Sequence, residues 1–92
     1  MVKCRGEYRP LLVESFDGTR PGHRYPVEVR PLPGQGFSTD LLVECPMSMR
    51  TDHPIGTVFR ICAKLKDTPF DTKHLYTYKY WPYDVVPPDE LV

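Results

Sequence analysis

Residues 53–86, HPIGTVFRICAKLKDTPFDTKHLYTYKYWPYDVV, decide how the rest of the chain is read. From Val58 to Lys66 the side chains alternate: Phe59, Ile61, Ala63 and Leu65 on one side, and Val58, Arg60, Cys62, Lys64 and Lys66 on the other. Successive side chains of a strand point to opposite faces, so this pattern is a strand with one buried face and one wet, basic face. A helical stripe would need apolar residues three and four apart, and Arg60 and Lys66 interrupt it. Pro54, Ile55, Gly56 and Thr57 form the turn that starts the strand. A second strand is expected over residues 75–81, with Tyr76, Tyr78 and Tyr80 on one face and Leu75, Thr77, Lys79 and Trp81 on the other. The polar loop 67–73 joins the two as a hairpin.

Working outward, turn residues punctuate the chain at short intervals. Eleven prolines are scattered through it, and the longest run without one is residues 55–68. Long helices are therefore excluded. Residues 2–5 read as a short strand, and residues 8–16 as another with Leu11, Leu12 and Val13 at its centre. Pro10, which cannot donate to a ladder, belongs at the start, edge or bulge of that strand. Asp17 and Gly18 open a loop through His23. Residues 24–32 alternate Tyr25, Val27 and Val29 against Arg24, Glu28 and Arg30, and Pro26 and Pro31 place this strand at an edge. Residues 33–36, PGQG, turn the chain, and residues 37–45 return as a strand with Leu41, Val43 and Cys45 on one side. Residues 46–54 form a connection with room for one helical turn, where Met47 and Met49 cap the open end of a core. Residues 83–86 are a further short pairing segment.

These five or six short strands predict an all-β domain: an antiparallel sheet curled into a small barrel of SH3-like or OB-like size, or a compact sandwich. Closure into a barrel would remove exposed strand edges. Ninety-two residues suffice for one domain, residues 1–86, followed by a flexible acidic tail, residues 87–92. The composition, 40% hydrophobic and 26% charged, is that of a globular chain.

The formal net charge is zero, with residues 67–92 carrying five acidic and two basic side chains. That balance argues against coating nucleic acid by charge alone. The three cysteines, Cys4, Cys45 and Cys62, are odd in number and widely spaced. They read as small core residues in a reducing compartment. With no signal-peptide pattern at Met1 and no apolar run of membrane-spanning length, a cytoplasmic, non-membrane protein is expected.

Candidate chemistry centres on the same stretch. A row of Tyr76, Tyr78 and Tyr80 beside Arg60, Lys64 and Lys66 would stack bases or clamp a peptide if it faced outward. Lysine resists burial, so Lys79 on the opposite face with Thr77 favours turning the tyrosines inward. Trp81 then becomes the exposed aromatic and the interface anchor. Histidines 23, 53 and 74 and the cysteines have no short ligand spacing, so no metal and no cofactor are expected. Asp17, Asp40, Asp52 and Asp67 sit in or beside turns, where aspartate serves the backbone, and no catalytic motif is present. The expected function is a non-catalytic module that binds a protein partner through an aromatic or edge-strand surface. Its binding residues are Trp81, Tyr83, Lys79, Arg60, Lys64 and Tyr78. The alternative is a barrel that binds single-stranded nucleic acid, and a small-molecule binder or enzyme subunit ranks third. An open strand edge would also allow self-association.

Overall fold

The computed structural model describes residues 4–18, 26–67, 69, 73–78 and 82–91. Among the described residues six strands form: β1 (Arg9–Asp17), β2 (Val27–Pro31), β3 (Val43–Glu44), β4 (Val58–Lys66), β5 (His74–Tyr76) and β6 (Asp84–Val86). One helical turn, α1 (Ser48–Thr51), lies between β3 and β4, and a 3-10 turn, Pro88–Leu91, follows β6. The all-β class holds. The strands make one sheet in the order β2-β1-β4-β5-β3, with β6 also paired to β4. Its end strands, β2 and β3, touch each other and α1 touches β2, yet β2 and β3 are not hydrogen-bonded neighbours. The sheet therefore curls around its core without closing into a barrel.

β4 is the organising strand, as its alternation requires. Phe59, Ile61 and Ala63 face the core with Leu11, Val13, Val29, Val43, Met49 and Leu75. Leu65, the fourth member of that face, reaches the sheet end and is 38% exposed. The other face is drier than its charges suggest. Val58 lies opposite Val86 in β6, and both are buried. Cys62 is also buried, and it forms a disulfide with Cys4. That bond corrects the reading of Cys4 and Cys62 as independent core thiols, and the cysteine argument for a reducing compartment falls with it. Wide spacing along the chain hid a pair whose Cα atoms stand 5.3 Å apart.

Two further expectations change. Only Val43 and Glu44 of residues 37–45 are strand, and β3 pairs with β5 in parallel, so the sheet is not wholly antiparallel. The main-chain N–H of Leu75 donates to Leu42 and that of Thr77 to Glu44, which places β5 between two neighbours. The strand expected at residues 2–5 does not form at Cys4 or Arg5, and Met1, Val2 and Lys3 lie outside the described residues. So do residues 19–25, among them Arg24 and Tyr25 of the strand expected over residues 24–32.

The PGQG turn has another task than making a hairpin. β2 ends at Pro31, opposite Val13, and beyond it the Leu32 N–H still donates to the Leu12 carbonyl at 3.0 Å, but the Leu12 N–H has no ladder partner on that side. The Gln35 side chain fills the gap. Its carbonyl accepts from Leu12 N–H at 2.8 Å, and its amide donates to the carbonyls of Leu12 at 2.8 Å and Leu32 at 2.9 Å. Positive φ angles of 87° at Gly34 and 89° at Gly36, which glycine adopts without strain, shape the turn that presents it. Gln35→Ala should lower stability by about 2 kcal/mol, since a part-buried N–H loses its acceptor. Gln35→Glu should not restore it, because a carboxylate cannot donate to the two carbonyls. Urea unfolding of both variants checks this.

Glu28, expected on a wet face, is buried. Its side chain packs against Gly18, where an added Cβ would come within 2.6 Å of the Glu28 Cγ. Gly18 is thus required by close approach as well as by the turn, which its N–H closes onto Pro26 at 2.7 Å. Across the same face Arg30 Nε donates to Glu14 at 3.0 Å, and its guanidinium carbon stands 4.3 Å from the centre of the Phe16 ring.

Candidate functional site

The outer face of the β4–β5 hairpin gathers aromatic rings and ammonium groups. Lys64 in β4 lies opposite Tyr76 in β5, and Lys66 lies opposite His74. Directly opposed residues share a face, so Lys64, Lys66 and Tyr76 project to the same side. The Lys66 Nζ stands 4.0 Å from the centre of the Tyr76 ring. Tyr8, from the segment before β1, joins them. Its ring centre lies 6.3 Å from that of Tyr76, and the Lys64 Nζ stands 5.0 Å above it. Each cation–ring contact contributes about 0.5–1 kcal/mol at an exposed site and leaves the ammonium charge intact. The result is a cluster of two rings and two cations.

For Tyr76 and Tyr78 the structure corrects the expectation that the tyrosines turn inward. Leu75 and Thr77 are the buried side of this segment, while Tyr76 is half-buried and Tyr78 is 39% exposed. The inward expectation assumed that alternation runs unbroken to Lys79. It does not, because β5 ends at Tyr76. Pairing of this segment with β4 stops there and is next found at Asp84, opposite Arg60. Residues 77–83, seven in all, thus span the three residues 61–63 of β4. Lysine's aversion to burial at position 79 therefore carries no information about the face of Thr77. Lys79, Tyr80 and Trp81 lie outside the described residues.

Tyr83 ends this excursion and belongs to the opposite, core side. Its hydroxyl is hydrogen-bonded to Ser48 Oγ at 3.0 Å and to His53 Nε2 at 3.3 Å. Its ring stands edge-on to Phe59 at 5.4 Å and to His53 at 5.9 Å, and His53 stands edge-on to Phe59 at 5.2 Å. Perpendicular rings at this separation are the favoured aromatic geometry. The polar ends meet each other, so the cluster clamps α1 and the excursion to β4. Of the expected binding residues, then, the outer face of β4 holds Arg60 and Lys64, Tyr78 is exposed just past the end of β5, and Tyr83 is placed elsewhere. Tyr8, Lys66 and Tyr76 complete the face. Tyr8 lies 56 residues before Lys64 in the chain, and no local pattern signals that they meet.

The remaining reactive groups are quiet. Cys45 is half-buried with a free thiol, whose pKa burial pushes up while Arg50 pulls it partly back. A thiol held protonated is a poor nucleophile. Among the described residues no three His, Cys, Asp or Glu side chains group to hold a metal, and no helix is long and apolar enough to cross a membrane. Compared with protein-family models, curated proteins and solved structures, the chain matches none of them.

Proposed function

We propose that this domain is a non-catalytic interaction module whose outer hairpin face takes an acidic segment of a protein partner. The observation that carries the reading is the alternation of Tyr8, Lys64, Tyr76 and Lys66 on one side of β4 and β5. Ammonium groups resting on ring faces present positive charge framed by apolar edges, which suits carboxylates set among apolar side chains. Tyr78, exposed just past β5, adds a further aromatic ring next to Tyr76 in the chain. The disulfide supports an oxidising compartment as the place of action, in contrast to a cytoplasmic one.

A single-stranded nucleic acid is the second reading, favoured by the outward turn of Tyr76 and Tyr78. Against it, the Lys66 ammonium already occupies the Tyr76 ring face on which a base would stack. The two readings separate in one titration. A Glu-rich peptide should shift the amide resonances of Lys64, Lys66, Tyr76 and Tyr78, with binding that weakens as salt rises. The double variant Lys64→Ala, Lys66→Ala should lose affinity about tenfold, equivalent to roughly 1.4 kcal/mol. An oligonucleotide that moves the same resonances more strongly would transfer the face to nucleic acid. No shift with either probe at 50 mM salt would sink both readings.

A further inference from the structure

We propose that the hairpin face is bipolar, and that the acidic segment it takes also carries a basic residue, about 10 Å from its carboxylate, which Glu44 receives. The inference rests on the hairpin face being the interaction surface and specifies the chemistry of the partner more closely.

Strand order sets the pattern of charge. Tyr76 in β5 lies opposite Lys64 in β4 on one side and opposite Glu44 in β3 on the other. The pair before it, Val43 with Leu75, is buried in the core. Side chains alternate along a strand, so Glu44 and Tyr76 project to the outer side together with Lys64. A path across the strands therefore meets an ammonium, a ring and a carboxylate in that order. Neighbouring strands lie about 4.8 Å apart, which places the backbones of Lys64 and Glu44 about 10 Å from each other.

Glu44 is kept on this face by His74, whose Nε2 donates to its Oε2 at 3.1 Å. His74 lies opposite Lys66, on the same outer side. The bond uses one carboxylate oxygen, and the Glu44 side chain remains 60% exposed. The positive charges belong to β4 and rest on the rings of Tyr8 and Tyr76. The negative charge belongs to β3.

A purely acidic segment laid across this face would suit the β4 side and set its own charge against Glu44. A basic residue at the far end of the segment answers both sides. The separation also selects a backbone. In a β-strand, residues i and i+3 point to opposite faces. In a polyproline II chain, with three residues per turn and a rise of about 3.1 Å, they point the same way about 9 Å apart. The matching ligand is a polyproline II segment with Glu or Asp at one position and Arg or Lys three residues away.

Two proline-rich peptides test this at low salt and about pH 8, above the ordinary titration range of histidine. Both carry a glutamate; three residues on, one has arginine and the other glutamine. On a face that is only cationic, the arginine would lower affinity by reducing the negative charge of the ligand. Here it should raise affinity about two- to fivefold, the worth of one exposed ion pair. It should also move the amide resonances of Glu44 and His74 along with those of Lys64 and Tyr76. Glu44→Gln is an exposed, isosteric change whose amide oxygen can still accept from His74. It should erase the preference and bind the glutamine peptide at least as well as the parent does. An arginine peptide bound no more tightly than the glutamine peptide would overturn the proposal and leave the acidic-segment reading standing. A preference that survives Glu44→Gln would overturn it too, because the arginine would then meet another group. If neither binds while the Glu-rich peptide does, the proposal alone falls. If none of the three binds, the interaction reading falls with it.

Discussion

Double replacement Cys4→Ala, Cys62→Ala is expected to lower the unfolding free energy by about 4 kcal/mol at 25 °C. The bridge closes a loop across a sequence separation of 58 residues, and a cross-link of that span removes much of the freedom of the unfolded chain. For a domain of this length the total stability is on the order of 5–14 kcal/mol, so the loss is a large share. The melting temperature should fall by roughly 15–30 °C. Urea unfolding of four samples checks this: parent and variant, each with and without a phosphine reductant. Reduction should bring the parent midpoint down to that of the variant and leave the variant unmoved. Equal midpoints in all four samples would show that the bridge contributes nothing to stability.

The sequence was most legible where local pattern and tertiary burial agree. β4 alternates because one of its faces is core, and its expected bounds are those observed. β1 is legible from its apolar centre, α1 from the connection that holds it, and β6 from the short apolar run after Tyr83. Pairings that skip elements left no such mark. β3 joins β5 across α1 and β4, and only two of its residues are strand, too few to alternate. Gln35 replaces a missing ladder partner with a side chain, which no strand pattern can signal. The candidate face shows both cases. Lys64 and Lys66 stand out in the sequence as a basic alternation. Tyr8 reaches them from the segment before β1, 56 residues earlier in the chain, a meeting that no local pattern signals. The outward turn of Tyr76 was hidden by the excursion, since alternation was carried past the point where the ladder stops.

Phe59→Ala is expected to destabilise the domain by about 3–5 kcal/mol, the range for truncating a fully buried phenylalanine. Phe59 is wholly buried near the start of β4, and it also supplies one of the three rings in the clamp with His53 and Tyr83. Part of the loss is therefore aromatic geometry and part is the cavity left behind. Tyr83→Phe keeps the ring and removes the hydroxyl bonded to Ser48 and His53, at a cost of about 1 kcal/mol. A double-mutant cycle between Phe59→Leu and Tyr83→Leu should give a coupling of about 0.5–1.5 kcal/mol, because the two rings touch edge to face. The excursion depends on the same contact. Pairing with β4 stops at Tyr76 and resumes at Asp84, and Tyr83, just before it, meets Phe59. Phe59→Leu keeps an apolar core but removes the ring edge, so amide exchange across residues 77–83 should quicken while that of β1 and β2 stays slow. Uniform acceleration over all strands would mean that Phe59 acts on the whole fold alone. In that case the clamp would not be what returns the aromatic segment to the sheet.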